Sequence, residues 1–138
     1  MKQKVPESGV LRACLDLLAA EHIWHERRNT VPVMVSKKGG GVRPIKVAKN
    51  GTGDIMATPL VLIDAGPAYH VFDGAAVTMR VQSVAVLWIE CKSDSGKQSQ
   101  AQKDFEKQAK AAGHNYIVVR SSDEVKRWLI DHGAMREK

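Results

Sequence analysis

The sequence predicts an α/β fold, with a mixed central β-sheet flanked by helices in a single domain spanning residues 1–138. Three observations carry that expectation. Helical and strand-like stretches alternate along the chain in the order helix, several strands, helix, strand, helix. One run, VAVLWI (84–89), is continuously apolar, as a strand covered on both faces must be. Hydrophobic residues make up 43% of the chain and charged residues 26%, the balance of a globular protein with a core of its own.

Each element has its own signal. Pro6 suits a first helical turn, and Val10, Leu11, Cys14, Leu17 and Leu18 recur at helical spacing, which predicts a helix to about Glu21. Glu7 falls on the same stripe. An acid there either needs a partner or simply favours the positive end of the helix dipole. A first strand is expected at 31–35. A glycine-interrupted basic loop follows over 36–50, carrying Lys37, Lys38, Arg43, Lys46 and Lys49 with no acid among them. A second strand should begin near Gly53-Asp54-Ile55 and continue or break at Pro59, with LVLID (60–64) as further strand material. Ala65-Gly66-Pro67 reads as a turn and Asp73-Gly74 as a hairpin signal. From 77 to 89 the pattern alternates and then turns wholly apolar, which predicts one strand passing from a half-exposed to a central position.

A second helix is expected over 99–112, with Ala101, Phe105, Ala109 and Ala112 inward, Lys103, Lys107 and Lys110 outward, and Gly113 beyond its end. NYIVVR (115–120) reads as a short buried strand. Ser121-Ser122-Asp123-Glu124 then opens a last helix through Ile130, with a capping serine and first-turn acids.

Several function classes drop out. No apolar run reaches the roughly 18 residues that a membrane span needs. The first residues lack the apolar centre of a secretory signal. Cys14 and Cys91 stand far apart, so a reduced, cytoplasmic chain is expected rather than a disulfide framework. His22 and His25 have no further ligand near them in sequence, which argues against zinc. Trp24 and Trp128 read as core or interface fillers. Net charge is +6, with a pI near 9.5, which suits a polyanionic partner. The basic loop, Lys97, Arg27 and Arg28 are the candidate phosphate contacts.

Chemistry is concentrated where the apolar run ends. Side chains alternate across a strand, so Glu90 and Lys92 share a face and Cys91 takes the other, as a buried thiol. Trp88 lies one step earlier on the Glu90 face. At the end of the run, Glu90 and Lys92 are expected to meet solvent or a cleft. A carboxylate can hold a hard divalent cation, with the Cys91 carbonyl as a further oxygen ligand. A lysine beside it can orient or deprotonate a water, or stabilise charge on a phosphate. A second acid is required. Asp54, after a glycine that permits close approach, is the better candidate, with Asp64 and Asp73 as rivals that each sit beside a turn.

These residues resemble the PD-(D/E)XK nucleases, and within them the VRR-NUC branch. The matching pieces are Glu7 on an early helix, Gly53-Asp54, Glu90-x-Lys92, Ser99-Gln100-Ala101-Gln102 and Val118-Val119-Arg120-Ser121, in the family's order over nearly the whole chain. The resemblance implies a restriction-endonuclease-like core and Mg²⁺ or Mn²⁺ held at the Asp54 and Glu90 positions. It further implies Glu7 as an additional ligand or water anchor, Lys92 positioning the attacking water, and Gln102 supporting the site. By the same resemblance the substrate is DNA, as in small stand-alone members similar to homodimeric junction-resolving endonucleases. The segment 59–82 departs from the pattern, because it lengthens the span between Asp54 and Glu90 and reads as an extra β-hairpin. The competing readings are a nucleic-acid-binding module without catalysis, and a nuclease acting on RNA or on linear or flap DNA.

Overall fold

The computed structural model describes residues 4–28, 33–45, 52–70 and 72–137. Its elements run α1 (Glu7–Ala20), β1 (His25–Arg27), β2 (Val33–Ser36), β3 (Val42–Ile45), β4 (Ile55–Ala57), β5 (Leu60–Tyr69), β6 (Ala76–Val84), β7 (Leu87–Cys91), α2 (Gln100–Ala111), β8 (Asn115–Val119) and α3 (Ser122–Asp131). A four-stranded sheet has the order β1-β4-β7-β8. β7 runs antiparallel to β4 and parallel to β8, so the sheet is mixed, as the sequence predicts.

The alternation of β7 places the two layers. Leu87, Ile89 and Cys91 turn to one face, where they meet Val10, Cys14 and Leu18 of α1 and Val125 and Leu129 of α3. Trp88 turns to the other face and joins Tyr116, Ala109 and Phe105, the last two from α2. Every residue of β7 is buried, which explains its unbroken apolar character up to Glu90. No described helix is long and apolar enough to cross a membrane.

The expected strand over 77–89 is two strands in two sheets. At Ala85-Val86 the chain leaves the β5–β6 hairpin and enters the central sheet. The Ala85 N–H donates to the Pro59 carbonyl (3.0 Å), and the Val86 carbonyl accepts from Asn115 (2.8 Å). Ala65-Gly66-Pro67 is no turn but an irregularity inside β5, where the register shifts between Asp64 and Pro67. The Asp73-Gly74 signal does close the hairpin, with the Asp73 carboxylate accepting from Ala75 (3.0 Å). β1 and β3 are too short to show a period of two. β3 takes up part of the expected basic loop, paired antiparallel with β2 through the glycine turn 39–41, whose φ angles are 101°, 98° and 81°.

Smaller corrections follow from burial. Ala101 and Ala112 are exposed, so the inner face of α2 rests on Phe105 and Ala109. Ser121 stands at the N-cap of α3 without a side-chain cap bond. Trp24 is 56% exposed rather than a core filler, whereas Trp128 packs on the core and stacks on His132.

Candidate active site at the end of the central strand

Four elements converge where β7 ends. Asp54 precedes β4, Glu90 lies in β7 with Lys92 just beyond its end, and the first turns of α1 and α2 bring Glu7 and Gln102. Asp54 Oδ2 accepts from the Cys91 N–H at 2.7 Å, and its own carbonyl accepts from Arg28 at 2.7 Å. Gly53 makes this approach possible, since a Cβ there would lie 3.3 Å from the Ile89 carbonyl oxygen and 3.5 Å from Trp88 Cβ. Asp64, by contrast, sits on the β5–β6 hairpin in an exposed pair with Arg80. Asp73 caps the hairpin turn, so of the three candidates Asp54 is the one joined to the Glu90–Lys92 strand.

Lys92 Nζ stands 2.7 Å from Glu90 Oε1 and 3.8 Å from Glu7 Oε1. Its backbone N–H donates to Val119, which holds the chain in line with the sheet after β7 ends. Their position in sequence predicts that Glu90 and Lys92 meet solvent or a cleft, and their burial rules out open solvent. Glu90 is 0% exposed and Lys92 7%. Phe105, Trp88 and Tyr116 pack on the same side.

Gln102 is locked by a capping box at the start of α2. Its Oε1 accepts from the Ser99 N–H (2.8 Å), while the Ser99 hydroxyl accepts from the Gln102 N–H (3.2 Å). That bond orients the Gln102 amide so that Nε2 donates to Glu90 Oε1. The Tyr116 hydroxyl donates to Glu90 Oε2 at 3.4 Å. Tyr116 and Gln98 escape the sequence reading. Gln98 donates to the Glu106 carboxylate at 2.9 Å. Burial pushes the Tyr116 hydroxyl's pKa up, and the Gln98 amide acts against that push. An aromatic hydroxyl inside an otherwise apolar strand was the available signal, because a buried hydroxyl needs a partner. Arg120 ties down the loop between β7 and α2 through the carbonyls of Asp94 (3.3 Å) and Gly96 (3.0 Å).

Burial governs the protonation of the site. The Glu90 carboxyl is pushed up to about 7, chiefly by desolvation, with the Lys92 hydrogen bond opposing and the Asp54 charge adding. Asp54 is raised for the same first reason, and the Cys91 N–H and Lys92 act against it. Burial pulls the Lys92 ammonium down, but the Glu90 hydrogen bond and the carboxylates of Glu90, Glu7 and Asp54 outweigh it, and the net shift is upward. Cys91 turns away from this cluster and meets Cys14 under the other face. Both thiols are free and buried.

Among the described residues, no group of three or more His, Cys, Asp and Glu side chains is arranged to hold a metal ion. The donor set that does gather consists of hard carboxylate oxygens, which suit Mg²⁺ or Mn²⁺ rather than a soft metal. Both acids are destabilised as anions by burial, a penalty that a divalent cation would relieve. Glu90 Oε1 is shared by Lys92 and Gln102, so a cation would compete with the ammonium for it.

Of the phosphate-contact candidates, Arg28 donates its backbone N–H to the Asp54 carbonyl (2.7 Å) and the Arg27 charge acts on the Asp54 carboxylate. Lys37, Lys38 and Arg43 are exposed on the β2–β3 hairpin, and Lys97 is exposed ahead of α2. Lys46 and Lys49 lie outside the described residues. No family model, curated protein or solved structure matches the chain.

Proposed function

We propose that this chain is a divalent-metal-dependent DNA endonuclease of the VRR-NUC type, acting as a homodimer on branched DNA such as four-way junctions. The observation that carries the reading is the bond between Asp54 and the Cys91 N–H. It brings an acid from 37 positions earlier against a strand end that already holds a glutamate, a lysine and a supporting glutamine. Acid, acid and lysine on one strand end, with a helix amide behind them, are the parts that phosphodiester hydrolysis requires.

Asp54 and Glu90 would hold the cation, with the Cys91 carbonyl and Glu7 as further oxygen donors. The cation supplies the positive charge that binds the scissile phosphate and stabilises charge growing on it. The remaining work falls to the chain. Gln102, fixed by its capping box, holds the Glu90 carboxylate in one orientation. Lys92 carries its proton beside Glu90 and Glu7, where it can orient the attacking water and meet negative charge on the phosphate. The apolar wall of Trp88, Phe105 and Tyr116 keeps bulk water from the buried side of Glu90. Lys37, Lys38, Arg43, Lys46, Lys49 and Lys97 would meet the DNA backbone.

One observation favours a second reading. Both Glu90 oxygens already accept from protein donors, as they would in a binding module that does no chemistry. Incubation of linear duplex, flap, single strand and four-way junction with Mg²⁺ or Mn²⁺ separates the two. Paired cuts in the junction that vanish in Lys92→Ala support the nuclease. Binding without product in either metal supports the module, and faster cleavage of the RNA version of a substrate would move the reading to RNA.

A further inference from the structure

The β5–β6 hairpin leaves the body of the molecule with one edge occupied and the other, among the described residues, open. The Leu62 N–H donates to the His132 carbonyl (2.9 Å) at the end of α3, so the outer edge of β5 is tied to the body there. Leu62 therefore turns its backbone groups away from β6. Its partner Gln82 must do the same on the opposite edge, since in an antiparallel pair the two residues of a non-bonded pair both face outward. Along β6 the alternation gives Arg80 and Thr78 the same outward orientation. Pro67, which has no N–H to offer, stands opposite Thr78 and agrees with it. Among the described residues β6 pairs with β5 alone.

This edge lacks the devices that keep edges single. Its sequence, AVTMRVQSV, has no proline, no lysine and one charge, Arg80, which is matched by Asp64 at 3.2 Å. Val77, Met79 and Val81 share one face of β6, with Ile63 directly opposite Val81. These four are between 37% and 46% exposed. Two strands alone are marginal in water, and three or more with an apolar face are needed for independent stability.

We infer that the outer edge of β6 pairs antiparallel with the same edge of a second copy of this chain, forming one four-stranded sheet across a two-fold axis at Met79. The residue pattern is self-complementary about that point. Val77 meets Val81 of the other copy, and Met79 meets Met79, so the apolar stripe runs unbroken through the axis. On the opposite face Arg80 meets Thr78. Moving the axis by one residue to Arg80 would set Arg80 directly against Arg80, which like-charge repulsion disfavours. The pairing uses the outward N–H and C=O groups of Thr78 and Arg80, which β5 does not engage.

The inference deepens the homodimer part of the proposed function and is independent of the nuclease part. The full chain is therefore tested without metal or nucleic acid, by sedimentation equilibrium from micromolar concentrations upward. The wild type is expected to be a dimer of the 15.2 kDa chain. Met79→Lys, which sets two ammonium groups together at the axis, should weaken association by about 30-fold or more. Thr78→Pro removes an outward N–H without touching the β5 ladder and should do the same. Circular dichroism establishes that both variants fold. Met79→Cys should form an intermolecular disulfide under mild oxidation, because non-bonded antiparallel partners lie about 4.5 Å apart at Cα. Arg80→Cys should cross-link far less. A monomeric wild type, a dimer insensitive to both edge variants, or cross-linking through position 80 instead of 79 would each overturn the proposal, whatever the outcome of the cleavage panel.

Discussion

Two ion pairs of the same chemistry stand in opposite surroundings. Arg80 and Asp64 meet at 3.2 Å on the β5–β6 hairpin, with both side chains about two-thirds exposed. Lys92 and Glu90 meet at 2.7 Å at the end of β7, with side-chain exposures of 8% and 0%. Water screens the first pair, and such pairs contribute about 0–1 kcal/mol. The second has given up its hydration, a cost that its mutual attraction offsets only when further hydrogen bonds complete it. Gln102, Tyr116 and Glu7 complete it. A buried pair that well-packed apolar residues could replace without loss of stability is retained for another reason, and in the proposed nuclease that reason is chemistry.

The largest expected effect follows from breaking the buried pair. Lys92→Ala should abolish Mg²⁺-dependent cleavage, with a loss of at least about 100-fold, while DNA affinity changes little. The same change leaves Glu90 buried and unpaired. It should cost about 3 kcal/mol in chemical denaturation, the low end for such a disruption, because Glu90 can take up a proton instead. Cleavage at the wild-type rate by Lys92→Ala would end the proposed mechanism.

The second prediction uses the titration of Glu90, pushed up to about 7 in the folded chain against an ordinary 4.5. Between those values the folded state binds the proton that the unfolded state has released. Stability therefore falls as pH rises from about 4.5 to about 7, and the loss is complete above that range. Asp54 is raised and adds in the same direction. Lys92 is raised as well, so its contribution is fully present throughout this window and is lost only at strongly alkaline pH. Melting temperature measured across the window should decline in the wild type and flatten in Glu90→Gln. An equal slope in both would place the titrating group elsewhere. Mg²⁺ should bind more tightly as pH rises through 7, because it displaces the Glu90 proton.

The comparison also shows what the sequence can express. Glu90 and Lys92 were legible because a period of two places them on one face and an apolar run makes their charges conspicuous. The Asp54 position was legible through Gly53, whose missing side chain is a spatial requirement that the sequence records. The depth of burial was not legible. It depends on Tyr116 and Gln102 reaching Glu90 from other elements, and no local pattern encodes which residues cover which. Tyr116 went unnoticed for the same reason, since its partner is 26 positions away. The break at Ala85-Val86 was hidden because both flanking strands are apolar and only their pairing partners differ. β1 and β3 hold too few residues for a period to emerge.

Tyr116→Phe tests the support of the buried pair at smaller scale. Its hydroxyl reaches Glu90 at 3.4 Å, a long bond to a carboxyl group that is also held by Gln102. Removing it should cost about 1 kcal/mol, or roughly fivefold in cleavage rate, with substrate affinity unchanged. A loss as large as that of Lys92→Ala would mean that Tyr116 touches the reacting groups.

The smallest effect is expected at the exposed pair, and it tests the comparison from its other side. Asp64→Asn removes one charge from a solvated pair and leaves the hairpin ladder intact, so stability should move by no more than about 0.5 kcal/mol. Cleavage should be unchanged, because Asp64 faces Arg80 on a separate two-stranded sheet and makes no contact with the Glu90–Lys92 cluster among the described residues. Asp54→Asn should instead remove activity, since it strips a charge from the pair of acids that would hold the cation. The two substitutions are chemically identical, and only position separates them. If Asp64→Asn were the inactive variant and Asp54→Asn the active one, the bond between Asp54 and the Cys91 N–H would be purely structural, and the site would have to be rebuilt around the hairpin.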